Sequence, residues 1–395
     1  MGAQETESES PHAGAGRTTG VQQGPSADTQ RAAASVPEVG ASSAEAPPIV
    51  DSGNENEDER VQTSVSEGSP AGDEDLDVAT WDSQSDGGDS AYEELQSQTA
   101  SVTSSIMAGH WENGRRYHAY QSGQYLFPDD EQEQDRLDVK YAAIHLTYGN
   151  KLAFAPLNNP QHALDVGTGT GIWAIDFAEE HPQCTVSAID LSPIQPTWVP
   201  PNVKFEIDDC EQDWTWPIAH FDYVHLRTMA AAIRNWDRLF AQAYRHTRPG
   251  GYIELQEMDY MGVIQSTSRN PGTAFIQWCT EQGKAAAKVG INLRMIPNVM
   301  VEQLRRAGFV DVTVHEFRCP IGPWAAEKKM RDAGILQLSA VLDGLEGLTL
   351  KLSRFYEGWT RQELDVLLAK VRTELKSKEC HAYWPVNVVY GRKPE

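Results

Sequence analysis

The segment "HALDVGTGTGIW", residues 162–173, places three glycines within five positions directly behind a short apolar run and an aspartate. Glycine has no side chain and tolerates positive φ, so a ligand can approach the backbone closely at such a turn. The pattern is D-x-G-x-G-x-G, in which Asp165 is followed by Gly167, Gly169 and Gly171. An apolar strand that ends in a glycine turn and continues into a helix is typical of a site for a nucleotide-type ligand.

The glycine spacing separates three kinds of nucleotide-type ligand. No G-x-x-x-x-G-K-[ST] motif occurs, which excludes a P-loop, and Ile172 stands where a dinucleotide fingerprint needs its third glycine. The carboxylate of Asp165, aimed at the turn, would also repel a pyrophosphate, whereas it would not repel a ligand that carries an ammonium and a sulfonium. The motif therefore favours S-adenosylmethionine over NAD.

Strands and helices alternate around this turn. "QHALDVG" predicts a buried strand and "GIWAIDFAEEH" a helix; "TVSAID", "VKFEID", "FDYVHL" and "GGYIELQEM" predict further strands, with a helix in "RLFAQAYRHTRPGG". This alternation predicts an α/β fold with a doubly wound sheet, whose ligands lie beyond the carboxyl ends of the strands. Farther along, helices are predicted over 272–290, 297–307, 324–345 and 361–377, and strands in "GFVDVTVHEF" and "YWPVNVVYGRK".

Acidic residues stand at the predicted ends of the second and third strands. Asp190 follows Gly171 by 19 residues, where its carboxylate can accept both hydroxyls of a ribose or can cap the next turn. At the end of the third strand, Asp208 or Asp209 can accept from an adenine amino group or face solvent. A backbone N–H at Cys210 can reach a ring nitrogen of the same base.

Two long segments resemble the class I S-adenosylmethionine-dependent methyltransferases, and within them the fungal LaeA-like group: "ALDVGTGTGIWAIDFAEEHPQCTVSAIDLSPIQPTWVPPNVKFEIDDCEQDWTW" and "FDYVHLRTMAAAIRNWDRLFAQAYRHTRPGGYIELQEMD". The resemblance is close over residues 111–260 and looser beyond them. It implies a Rossmann-like fold with a seven-stranded, mostly parallel sheet whose last strand is antiparallel. It also implies a helical lid formed by "RRYHAYQSGQYLFPDDEQEQDRLD". For the cofactor, it assigns the methionine end to Asp165, Gly167, Gly169 and Gly171, the ribose to Asp190 and the adenine to Asp209.

The methyl acceptor is less well defined by the sequence. A hydroxyl or amine acceptor loses a proton, and a general base helps to remove it. Candidates at the ends of the fourth and fifth strands are His225, with Arg227 beside it, and Glu257 or Asp259, each of which can instead support the fold. No metal-ligand spacing accompanies them, so no metal is expected. The aromatic residues that suit a bulky apolar acceptor, or equally a core, are Tyr117, Tyr120, Tyr125, Trp278, Trp324, Trp359 and Trp384.

Acidity is concentrated at the N-terminus. Residues 1–110 contain 21 Asp or Glu against 3 Lys or Arg, so they carry −18 of the total net charge of −24. With few large apolar residues, residues 1–106 predict a disordered acidic tail, either solvating or docking a regulatory protein partner, and residues 107–395 predict the methyltransferase domain. Overall acidity argues against direct binding to nucleic acid. No 18-residue apolar run predicts a membrane span, and the five separated cysteines predict reduced thiols.

Two functions remain open from the sequence. In the first, the chain methylates a small molecule of fungal secondary metabolism. In the second, it is a LaeA-like regulatory methyltransferase in a nuclear complex that controls secondary-metabolite gene expression and development. The intact cofactor residues and the lack of a basic surface favour the first. Either function places the chain in the cytoplasm or the nucleus.

Overall fold

The computed structural model describes residues 109–118, 120, 125–265 and 273–395. The predicted acidic tail, residues 1–106, lies outside the described residues. Within them, strands and helices alternate from residue 162 onward, as the hydrophobic pattern predicts.

The central sheet holds the predicted strands in the predicted order along the chain. They are β3 (His162–Val166), β4 (Thr185–Asp190), β5 (Val203–Ile207), β6 (Phe221–Arg227), β7 (Thr247–Met258), a two-residue β8 (Ile264–Gln265), β9 (Val310–Pro320) and β10 (Ala382–Arg392). The spatial order is β5-β4-β3-β6-β7-β10-β8, and β9 pairs with β10. Strands β3 to β7 are parallel to their neighbours, whereas β10 is antiparallel to β7, β8 and β9. The predicted seven-stranded, mostly parallel sheet with an antiparallel last strand is confirmed, with β8 as a short addition.

Helices cover the sheet and close one end of it. They are α1 (Glu131–Thr147), α2 (Ile172–Glu180), α3 (Trp236–His246), α4 (Thr273–Lys288), α5 (Pro297–Ala307), α6 (Lys328–Leu350), a 3₁₀ turn (Leu352–Phe355) and α7 (Arg361–Leu375). Local sequence explains several of their ends. Helix α5 has proline at its first turn and ends at Gly308 in the left-handed conformation, and α7 begins with a Thr360–Glu363 capping box.

The leader that the resemblance predicts as a helical lid is helical only in part. Its first residues, β2 (Arg115–Tyr117), pair with β1 (His110–Glu112) in a hairpin, because Asn113 and Gly114 adopt the positive φ that a tight turn needs. Helix α1 starts after Asp130, whose side chain accepts from the Glu133 N–H and pairs in bidentate fashion with Arg115. The lid is therefore a hairpin clamped to the start of a helix.

Helix α6 packs against α1 through small residues. A Cβ atom on Gly344 would lie 2.7 Å from Arg136 Cδ, and one on Gly347 would lie 2.7 Å from a guanidinium nitrogen of Arg115. Among the described residues, α6 alone has the length and apolar composition of a membrane span, but half of its apolar window is buried inside the fold. Its apolar surface is therefore partly used in the core that holds the lid in place.

Candidate active site

A cleft with an empty volume of about 1470 Å³ opens at the carboxyl ends of β3, β4, β5 and β6. This is the edge at which a doubly wound sheet binds its ligands. One end of the cleft is lined by the glycine turn and by acids that follow β4 and β5. The other end is lined by side chains from α1, α4, α6 and β10. We refer to these as the donor end and the acceptor end.

The glycine turn at the donor end serves packing at two positions and ligand access at a third. A Cβ on Gly167 would overlap the sulfur of Met229, and one on Gly171 would overlap the ring of Phe205. At Gly169 the nearest atom to such a Cβ is Leu137 Cδ1, 3.9 Å away. The glycine spacing treats the three glycines alike, whereas in the structure Gly167 and Gly169 both line the cleft and only Gly169 has room for a side chain.

Asp165 is held from two sides inside the sheet. Its Oδ1 accepts from His225 Nδ1 at 2.8 Å, and its Oδ2 accepts from the Thr168 hydroxyl at 2.7 Å. Asp165 and His225 are register partners on adjacent strands, which sets the distance between them. The carboxylate therefore fixes the glycine turn, because both of its oxygens are engaged by neighbouring side chains.

His225 does not reach the cleft. The side chain is 0% exposed, and its ring stacks on Trp173 with centroids 3.6 Å apart. Its Nε2 is buried and has no hydrogen-bond partner among the described residues. A general base must come within hydrogen-bond reach of the acceptor, or reach it through one water. The role of His225 as a general base stays a prediction; in this geometry its side chain contacts Asp165 and Trp173 and does not line the cleft.

Asp190 lies at the tip of β4 and lines the cleft. Its Oδ2 accepts from the Gly169 N–H at 2.8 Å and its Oδ1 accepts from the Ser192 N–H at 2.9 Å. Burial raises the pKa of this carboxyl to about 6, although both backbone N–H groups oppose the shift. Each carboxylate oxygen keeps a lone pair for a further donor. The side chain caps the turn and faces the cleft at once, so the two sequence alternatives are not exclusive.

The end of β5 supplies the second acidic group of the donor end. Asp209 is buried and accepts from the Glu211 N–H and from the Gln212 side chain. Cys210 lines the cleft, and its carbonyl accepts from the Trp214 indole. These bonds fold the segment after β5 back on itself, which places Asp208, Asp209 and Cys210 together along the cleft wall.

The other two predicted bases, Glu257 and Asp259, are buried and do not line the cleft. Glu257 is 0% exposed and accepts from the Met229 and Ala230 N–H groups, and burial raises its pKa to about 7. It thereby clamps the turn after β6, which presses Met229 against the glycine turn. The preceding Thr228, which lines the cleft, holds a strained φ of 53°.

Helix α1 covers the glycine turn with a single face. Its residues Leu137, Lys140, Tyr141 and Ile144 line a shallow pocket together with Asp165, Gly167, Gly169 and Arg227. Their spacing of three, four and seven residues puts them on one side of a helix. The Thr170 hydroxyl donates to Asp138 at 2.6 Å, and the Tyr141 hydroxyl donates to Asp176. The lid is therefore hydrogen-bonded to the donor end.

The acceptor end is apolar and aromatic, with a buried amine in its wall. Of the aromatic residues singled out in the sequence, Tyr125, Trp278 and Trp384 line it, together with Phe127, Leu293, Val341 and Leu348. Tyr117 is instead buried under Lys351, Trp324 stacks on His381 and Trp359 contacts Tyr356.

Two lining residues, Lys140 and Tyr260, were missed by the sequence analysis. Lys140 Nζ and Tyr260 Oη are 2.6 Å apart, although 120 residues separate them in the chain. The only signal for Lys140 was its place on an otherwise apolar helix face. Tyr260 directly follows Asp259 and lies three residues after Glu257, the two acids that the sequence offers as bases.

The donor end suits a cationic nucleoside. Three carboxylates line the same cleft as the backbone of Gly169, those of Asp190, Asp208 and Asp209. The sequence has no P-loop motif and so no P-loop lysine to bind a phosphate. No group of three or more His, Cys, Asp or Glu that could hold a metal occurs among the described residues. S-adenosylmethionine, which supplies an electrophilic methyl carbon on a sulfonium, fits this set of groups. Fold and site together define a class I methyltransferase.

Comparison with known proteins gives the same assignment. A methyltransferase-domain family matches residues 130–314. The methyltransferase pytC of Aspergillus terreus is 36% identical over 303 residues, covering 76% of this chain and 93% of that protein. The protein-methionine methyltransferase laeA of Emericella nidulans is 33% identical over 288 residues, covering 72% of this chain and 76% of that protein. The secondary metabolism regulator LAE1 of Cochliobolus heterostrophus is 31% identical, covering 73% and 96%. The chain belongs to this family of S-adenosylmethionine-dependent methyltransferases.

Proposed function

We propose that the chain transfers a methyl group from S-adenosylmethionine to an apolar small molecule of secondary metabolism. The observation that carries this proposal is the continuity of the cleft. The same cavity runs from Gly169 and Asp190 to the aromatic wall formed by Trp278 and Trp384. Apolar walls with few polar groups are typical of small-molecule sites. The similarity to pytC, which covers nearly the whole of that methyltransferase, supports the methyl-transfer activity.

The donor residues receive the following proposed roles. Asp190 accepts from the ribose hydroxyls with its cleft-facing lone pairs, and Asp209 with the backbone at Cys210 holds the adenine. Asp165, Gly167 and Gly171 shape the turn, and Gly169 lets the methionine end approach the backbone. We do not assign Asp165 a direct contact with the cofactor, because its two oxygens already accept from His225 and Thr168.

A second candidate is the regulatory function of the LaeA-like relatives. The observation in its favour is the 33% identity to a protein named as a protein-methionine methyltransferase and, elsewhere, as a secondary metabolism regulator. In that case residues 1–106 would form a tail that docks a protein partner, the domain would comprise residues 107–395, and the chain would act in the nucleus. The small-molecule function is equally compatible with the cytoplasm.

The acceptor can be identified with labelled donor. The purified full-length chain is incubated with S-adenosylmethionine that carries a deuterated methyl group, together with either a metabolite extract or a protein extract of the producing cells. Mass spectrometry then locates the label. We expect it in a compound of low mass. Label found only on methionine side chains of proteins would instead establish the second candidate, and label nowhere, with no donor bound in calorimetry, would contradict both.

A further inference from the structure

The cleft wall between donor end and acceptor end holds a buried lysine. Lys140 is 8% exposed and lines both the main cleft and the shallow pocket at the glycine turn. Among the described residues that line these two pockets, it is the one lysine, and it belongs to helix α1. Burying an ammonium without a carboxylate partner is costly, so such a group tends to lose its proton.

The groups around Lys140 do not counteract its tendency to lose the proton. Its hydrogen-bond partner is the neutral hydroxyl of Tyr260, at 2.6 Å, and no ion pair of Lys140 occurs among the described residues. Two acids and two guanidinium groups face it, together with a thiol of β9: Glu133, Glu257, Arg136, Arg227 and Cys319. The acids are engaged elsewhere, one by Arg136 and the other by two backbone N–H groups. Burial and Arg136 lower the pKa of Lys140 to about 7.

Tyr260 connects the amine to the acceptor end. Its ring lines the cleft and meets the Trp384 indole edge to face, with centroids 5.5 Å apart. Trp384 in turn contacts Phe275 and belongs to the aromatic wall. Tyr260 therefore contacts the amine through its hydroxyl and the aromatic wall through its ring.

We propose that Tyr260 and Lys140 together remove the proton of the methyl acceptor, and that this acceptor is an apolar molecule with a phenolic or enolic hydroxyl. The proposal rests on the proposed small-molecule function and deepens it. The Tyr260 hydroxyl takes the acceptor proton and passes its own to the neutral amine of Lys140. Meanwhile the acceptor oxygen forms its bond to the methyl carbon, the carbon–sulfur bond breaks, and the electron pair stays on sulfur as a thioether. The ammonium of Lys140 then releases its proton to water.

A buried base is useful for a hydroxyl acceptor but not for a thioether acceptor. Methylation of a thioether releases no proton, so a base has nothing to do in that reaction. A phenol or an enol does lose a proton, and an amine that titrates near neutral pH is well matched to take it. The buried pair therefore favours the small-molecule function over methylation of methionine side chains.

The experiment compares three variants of the full-length chain on the acceptor found by labelling. Lys140→Met removes the amine at similar size, and Tyr260→Phe removes only the hydroxyl. Lys351→Met is the matched control, because Lys351 is also buried, at 2% exposed, and lies over a tyrosine ring, that of Tyr117, but does not line the cleft. We expect kcat to fall by about 10²-fold or more in Lys140→Met and by about tenfold or more in Tyr260→Phe, with no comparable loss in Lys351→Met.

The pH profile distinguishes proton transfer from a structural role. In the unchanged chain kcat should rise as the pH increases through the pKa of Lys140, about 7. This rise should vanish in Lys140→Met. A rate in Lys140→Met equal to that of the control, or an unchanged pH profile, would overturn the proposal. Should Lys140→Met fail to fold, Tyr260→Phe decides: an undiminished rate would overturn it.

A binding measurement tests the amine without any turnover. Protonated Lys140 repels a sulfonium but not a thioether. Between pH 6 and pH 8, calorimetry should show the affinity for S-adenosylmethionine rising by about threefold or more relative to that for S-adenosylhomocysteine, in the unchanged chain but not in Lys140→Met. Equal pH dependence for the two ligands would count against the pair. Failure to bind either ligand would instead contradict the methyltransferase function itself.

Discussion

The donor end and the acceptor end of the cleft are built in different ways. The donor end comes from consecutive segments, the turns after β3, β4, β5 and β6, and its contacts are backbone N–H groups and carboxylates. The acceptor end joins α1, Tyr260 two residues after β7, α4, α6 and β10, and its contacts are mostly apolar side chains. The comparison shows that donor binding depends on a local backbone design, whereas acceptor choice depends on long-range packing.

The largest effect on donor binding is expected from a change at Gly167. Gly167→Ala puts a methyl group where Met229 already packs, on a backbone with φ 71°. Because the glycine turn must shift, we expect donor affinity to fall by about 100-fold, or about 2.7 kcal/mol, in calorimetric titration. The matched control is Gly290→Ala, which has φ 79° and no neighbour within 4 Å. It should lose about 1 kcal/mol of stability and no donor affinity. Equal effects of both changes on binding would show that packing at the turn is irrelevant.

A smaller effect is expected from the charge of Asp190. Asp190→Asn keeps the shape but removes a charge-assisted ribose contact, so donor affinity should fall by about tenfold or more. Burial raises the pKa of this acid from 3.8 to about 6. The ionised form costs folding free energy, so stability falls as pH rises through that window. Asp190→Asn removes this cost, but the amide NH2 would face one of the two backbone N–H groups from which the carboxylate accepts, so we expect no gain in unfolding temperature at pH 7.

The pH dependence of donor binding is the control for Asp190. If only the ionised carboxylate binds ribose, affinity should fall by about tenfold from pH 7 to pH 5, equally for the sulfonium donor and its thioether product, and should stay flat in Asp190→Asn. A parallel pH dependence in the variant would remove Asp190 from the donor site. The Lys140 response differs, because it lies above pH 6 and concerns the sulfonium alone.

The smallest effect should come from the acceptor end. Val341→Ala shortens one side chain of the apolar wall, and Val341 is 3% exposed. Loss of two methyl contacts should raise the acceptor KM about threefold to tenfold, while donor affinity stays within about twofold. Steady-state kinetics with the identified acceptor and calorimetry with the donor measure the two quantities. A larger change in donor affinity than in acceptor KM would show that the two ends are not separable.

Much of the donor end could be predicted because its residues follow strand ends in sequence. Asp190, Asp209 and Cys210 lie at the predicted edge of the sheet, and the strand segments agree with the observed strands. The roles within that set were less predictable. Gly167 and Gly171 face Met229 and Phe205, and the orientation of Asp165 depends on a histidine 60 residues away.

The acceptor end is harder to predict from the sequence, because side-chain orientation depends on the packing of distant segments. The sequence leaves open whether a polar residue near a strand end faces the cleft or supports the fold, and in the structure His225 and Glu257 are fully buried. The resemblance predicts a helical leader, but the turn at Asn113 and Gly114 pairs its first residues, β2, with β1 in a hairpin. Four tryptophans had the same composition signal, and only Trp278 and Trp384 line the cleft.

The sequence by itself determined the sheet, the glycine turn and the nature of the donor, because hydrophobic periodicity and glycine spacing act over a few neighbouring residues. Only the tertiary structure decided which polar side chains are buried for support and which face the acceptor. Lys140 and Tyr260 meet across 120 residues of chain. Their proton chemistry depends on desolvation, and desolvation is a property of the packed chain and not of any local segment.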